Sequence, residues 1–136
     1  MSTLRNVRSV FSTGLATGLA LSAVSALAQV QPLPEELSGR WTLAATGRTN
    51  TFSLDQIKPT GDQAFTAVLT WWTSDPACMI RKAPLVGRLT DAGFAFDAKT
   101  KCDVEFTAEL IRQEKEWVGK AVTKGTNSVT VEVRAR

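Results

Sequence analysis

The chain has 136 residues, with 16 Lys+Arg against 13 Asp+Glu, two cysteines, and neither histidine nor tyrosine. The missing histidine removes Ser-His-Asp and Cys-His nucleophilic catalysis, imidazole zinc sites and the readiest general base near neutral pH. The expectation is a protein that is not an enzyme and needs no cofactor or metal.

The first segment reads as a leader. Arg5 and Arg8 form a positive stretch without acidic residues, Val10 to Val24 is mostly apolar or small, and Ala26-Leu27-Ala28 has the A-x-A form of a cleavage site. Ser12, Thr13, Gly14, Thr17 and Gly18 interrupt the apolar run, making it too weak for a membrane span. Residues 1–28 are expected to be a signal peptide, leaving a periplasmic or secreted chain with no membrane insertion after cleavage. Without Arg5 and Arg8 the basic and acidic residues nearly balance, so no nucleic-acid partner is implied.

Residues 29–36 hold Pro32 and Pro34 and no apolar period, which predicts an extended N-terminal arm. Residues 37–136 form one domain. Strand candidates recur at short, even spacing between Gly, Asn, Asp and Pro signals, at 39–46, 51–57, 64–73, 85–90, 93–98, 102–112, 116–123 and 128–134. Apolar residues alternate through several of them: Trp41, Leu43 and Ala45; Phe65, Ala67, Leu69 and Trp71; Val104, Phe106, Ala108 and Leu110; Val129, Val131 and Val133. Period two on this scale predicts half-buried antiparallel strands. The fold class is all-β, an eight-stranded antiparallel up-and-down barrel, with a two-sheet sandwich as the alternative.

In an exported chain, Cys78 and Cys102 read as one disulfide. It would close a loop of about 25 residues, worth roughly 3 kcal/mol by chain entropy. Strict up-and-down order places both cysteines at the same barrel end, as a bridge requires.

Gly39-Arg40-Trp41, followed by eight short strands, resembles the calycin-type barrels: the lipocalins, avidins and their small bacterial relatives. The resemblance implies a barrel floor at Gly39 and Trp41, with Arg134 or Arg136 packed over the indole by cation–π contact. The stretch from Glu36 to Leu43 is also similar to the start of the bacterial periplasmic inhibitors of secreted zinc metalloproteases. That likeness implies an inhibitory arm of Gln29, Val30, Gln31, Pro32, Leu33 and Pro34, entering a protease cleft with its terminal amine on the zinc. Ala83 to Gly87 and Gly93 to Phe96 look like avidin's middle strands, but with no tyrosine in the chain no biotin site is expected.

Adjacent strand residues point to opposite faces, so Trp71 is expected inside and Trp72 outside. Trp117, Gly119 and Ala121 are expected to face inward, with Val118 and Val122 outside. Phe65, Leu69, Trp71, Phe106 and Trp117 would line a cavity in an open barrel and fill a closed one. Asp103, Glu105 and Glu109 alternate on an outward, solvated face. Sorted by barrel end, Arg48, Arg81, Lys82, Lys99, Lys101 and Lys124 gather at the disulfide rim, against Asp75, Asp97 and Asp103. The other end collects Glu35, Glu36, Asp62, Asp91, Glu114 and Glu116, against Lys58, Arg112 and Lys115. A basic rim suits an anionic ligand or an acidic partner surface. The expected function is that of an exported binding protein. Its partner would be a protease or another envelope or secreted protein, inhibited through the arm. The alternative is a carrier of a small amphipathic or anionic ligand held in the barrel.

Overall fold

The computed structural model describes residues 32–136, so the expected signal peptide, 1–28, and Gln29, Val30 and Gln31 of the expected arm lie outside the described residues. Eight strands pair in chain order and close into one antiparallel barrel. They are β1 Leu37–Leu43, β2 Thr49–Pro59, β3 Ala64–Trp71, β4 Ile80–Leu89, β5 Gly93–Lys99, β6 Glu105–Gln113, β7 Glu116–Thr123 and β8 Thr130–Ala135. A 3-10 turn, Pro76–Cys78, sits in the β3–β4 connection. The Asp75 carboxylate accepts from the Ala77 backbone N–H at 3.0 Å and fixes that turn.

Alternation decides which side chains enter the barrel. Phe65, Ala67, Leu69 and Trp71 are buried along β3, Phe106, Ala108 and Leu110 along β6, and Val131, Val133 and Ala135 along β8. The outer wall carries exposed Arg40, Glu109, Lys120 and Glu132, each between less exposed neighbours on its strand. A polar outside around an apolar inside is the reverse of a lipid-facing barrel.

Strand parity gives the barrel two distinct ends. The β1–β2, β3–β4, β5–β6 and β7–β8 connections share one end, here called the mouth. The arm and the other three turns share the opposite, closed end. Cys78 and Cys102 come from two mouth connections and form the expected disulfide, with their Cα atoms 4.8 Å apart.

The closed half is filled. Phe65 meets Phe94 edge-on at 5.7 Å between ring centroids, and Phe94 meets Trp117 at 5.2 Å. Each such ring, fully buried, stabilises the fold by roughly 1.5–3 kcal/mol. Space for them comes from glycine. A Cβ at Gly87 would collide with the Phe65 ring, whereas Gly119 lets β7 approach the Glu109 backbone carbonyl of β6.

The described part of the arm, Pro32 to Glu36, is docked at this end. Leu33 packs against the core, and the Ile57 N–H donates to the Glu35 carbonyl at 2.9 Å. That donor is free because β2 bulges between Asp55 and Lys58, with Gln56 in the left-handed region at φ 53°.

Strand limits differ from expectation in two places that matter. β1 begins at Leu37, two residues earlier than the expected 39–46, and β4 begins at Ile80, five residues before 85–90. Exposed Arg81 and Lys82 and the imide of Pro84 mask the first half of β4 in the sequence, because an exposed strand face needs no apolar residues.

Candidate functional site

The barrel is open at the mouth. A cavity of about 270 Å³ is bordered by Trp41, Leu43, Trp71, Phe106, Ala121 and Val131, with Val104, Val129 and the disulfide sulfurs' residues at its entrance. One wall is aromatic. Trp41 lies parallel to Trp71 at 5.4 Å, and Phe106 leans on Trp71 at 4.7 Å. The rest of the lining is small: Ala121 on β7 and Val131 on β8 border the same space. The cavity exists because these short side chains leave the space beside the rings unfilled.

Its polar groups are already engaged. Thr100 Oγ1 accepts from the Val104 N–H at 3.1 Å, Thr123 Oγ1 accepts from the Val129 N–H at 2.6 Å, and Thr73 Oγ1 donates to the Asp75 carbonyl at 2.5 Å. The Trp41 Nε1–H donates to the Trp72 carbonyl at 3.0 Å. Each hydroxyl stabilises a mouth connection, and the wall left facing the cavity is apolar. A space of this kind selects by shape and hydrophobicity, since a polar guest would lose water without gaining partners. Its size is that of one ring or a short alkyl chain: a dry cavity of roughly 150 Å³ takes benzene, and drug-sized sites begin at about 300 Å³.

Two sequence expectations need correction. Trp41 is not in the floor; it borders the mouth cavity together with Cys78 and Cys102. The reason is strand position. With β1 starting at Leu37, Trp41 is its fifth residue of seven and so lies nearer the far end. Nor does Arg134 cap it. On β8 the inward positions are Val131, Val133 and Ala135, so Arg134 points outward and donates to Glu116 at 3.2 Å. Arg136 reaches the same carboxylate at 3.2 Å. A guanidinium does stack on an indole, but it is Arg112 over Trp117, 5.3 Å from the ring centroid, where the two residues pair across β6 and β7. Gly39 keeps a close approach to β8, where an added Cβ would meet the Arg134 carbonyl oxygen.

Of the five expected cavity residues, Trp71 and Phe106 border the cavity, while Phe65, Leu69 and Trp117 are packed below it. Trp117 is inward and Val122 exposed. Trp72 is 46% exposed, but β3 and β7 lie on different sides of the barrel, so Trp72 shares no patch with Val118 and Val122. Ala121 is inward as expected with Trp117, but neither it nor Thr73, Thr100 and Thr123 was among the expected cavity residues. Their signal was the run of small inward residues, Ala108, Gly119 and Ala121, in paired strands.

The six basic residues all fall at the mouth end, on strand termini or in the connections. Lys99 pairs with Asp103 at 3.4 Å and Lys124 with Asp97 at 3.9 Å. Among the described residues, Arg48, Arg81, Lys82 and Lys101 form no ion pair. At the closed end, Arg134 and Arg136 offset the acidic residues through Glu116, so the acidic floor is weaker than the residue tally implied. Asp97 is held below the usual carboxylate range, first by the Thr107 hydroxyl and then by the Arg88 guanidinium, both hydrogen-bonded to it.

A larger recess of about 530 Å³ runs outside the barrel along β1 and β8, but two of its three arginines, Arg134 and Arg136, are paired with Glu116. No group of three or more His, Cys, Asp or Glu side chains among the described residues is placed to hold a metal ion. No family model, no curated protein and no solved structure matches the chain.

Proposed function

We propose that this is an exported, non-catalytic binding protein that takes the apolar part of a small amphipathic anion into the barrel mouth. The observation that carries this reading is the apolar, aromatic-walled cavity whose bordering hydroxyls and indole N–H are already spent on the protein's own loops. The unpaired cations Arg48, Arg81, Lys82 and Lys101 at the same end supply the attraction for a negative head group. Inhibition of a protease through the arm competes with this reading. It would need the arm free to enter a cleft, and Leu33 and Glu35 are instead engaged with the barrel.

The test is a titration with 1-anilinonaphthalene-8-sulfonate, read by tryptophan quenching, for the wild type and for Ala121→Phe, which fills the cavity. The expected result is saturable binding by the wild type and at least tenfold weaker binding by the variant, with the β-sheet circular dichroism of both alike. Equal binding by the two proteins would place the ligand elsewhere.

A further inference from the structure

Six large apolar side chains are exposed among the described residues, and three of them, Trp72, Val104 and Val129, belong to the mouth. They come from three separate connections. Val104 and Val129 stand at the cavity entrance. Trp72 is more telling. Its backbone is pinned on both sides, the N–H donating to the Thr51 carbonyl at 3.0 Å and the carbonyl accepting from Trp41 Nε1. The ring is nevertheless left 46% exposed. A fixed backbone that presents an indole to solvent is a presented side chain, not a frayed one.

The same rim carries Arg48, Arg81, Lys82 and Lys101, none of them in an ion pair among the described residues. Apolar tips from separate loops, set among unpaired cations, match the chemistry of an anionic bilayer interface. Indoles favour the head-group layer, and lysine and arginine are drawn to lipid phosphates. An acidic protein surface would use the cations but would leave the three apolar tips without a role. The turns of the closed end expose no large apolar side chain among the described residues, and Ile111, exposed near that end, stands on the strand wall.

We infer that the mouth docks on an anionic lipid surface, with Trp72, Val104 and Val129 in the head-group layer and the unpaired cations on lipid phosphates. This inference rests on the mouth being the working end, as proposed above, and adds its partner. A cavity pressed to the interface receives an amphiphile's tail directly, without exposing the tail to water.

The experiment is co-sedimentation of the full chain with vesicles of phosphatidylglycerol or of phosphatidylcholine. Wild type and variants are run side by side, so that any contribution of the leader is common to all. The expected result is at least tenfold preference for the anionic vesicles, falling steeply between low and physiological salt. Trp72→Ser and the double variant Arg81→Glu/Lys82→Glu should each weaken sedimentation at least fivefold, and Trp72→Ser should keep the soluble-probe affinity of the wild type. Equal sedimentation of wild type and variants, or no preference for the anionic lipid, would overturn the docking. A wild type that binds the soluble probe and ignores vesicles overturns the docking alone. One that docks without taking the probe overturns the cavity reading alone.

Discussion

The Asp97 carboxylate ties its ionisation to the wall of the barrel through two hydrogen bonds. It accepts from Thr107 across β5 and β6 at 2.5 Å and from Arg88 across β4 and β5 at 2.8 Å. These bonds favour the charged form and depress its pKa. A depressed carboxylate contributes stability that is complete above the unfolded value, about pH 4, and is lost as pH falls through the lower folded value. With its side chain half exposed, the contribution is about 1 kcal/mol or less. Urea unfolding of wild type and Asp97→Asn should therefore show a small gap at pH 7 that closes below about pH 4. A gap that widens with acid would mean that Asp97 is not held by these partners.

At the scale of elements, the barrel has one weak seam. β6 and β7 share eight register pairs, whereas β4 and β5 share three, Gly87 to Leu89 with Phe96 to Phe94. All three lie toward the closed end. Above them β4 and β5 share no register pair, and this side is linked by the Arg88–Asp97 ion pair and, at the rim, by the disulfide joining the β3–β4 and β5–β6 connections. The bridge thus stands in for missing ladder hydrogen bonds. Replacing both cysteines, Cys78→Ala with Cys102→Ala, should cost roughly 3 kcal/mol. Amide exchange should rise first at residues 80–86 and 100–104. Uniform acceleration around the whole barrel would instead make the bridge a global staple.

The eight strands and the bridge were legible because alternation and loop parity are local signals. The ends were less legible. Trp41 was placed at the wrong end because a β1 starting at Gly39 makes it the third residue, and two residues of slip move it past the middle of the strand. That Arg134 points outward was already implied by the alternation of Val129, Val131 and Val133, against the pull of a family pattern. The cavity could not be read from its aromatics. It depends on which residues stand beside them, and that is set by strand register.

As a whole molecule, the protein divides its work between its ends. The closed end is packed with Phe65, Phe94 and Trp117, sealed by Arg112 and by the arm at Leu33. The mouth keeps a small apolar chamber, an exposed indole and unpaired cations. Filling one half lets the other stay open, because the core that holds the barrel together does not pass through the chamber. In the function proposed above, this chamber receives a ligand's apolar part. An NMR titration of the isotope-labelled protein with 1-anilinonaphthalene-8-sulfonate, following the indole and methyl resonances, tests this at residue level. Saturable shifts are expected at Trp41, Trp71, Val104, Val129 and Val131, with Trp117 and Leu33 unmoved. Shifts centred on Trp117 and the arm, or none at the mouth under saturating probe, would contradict it.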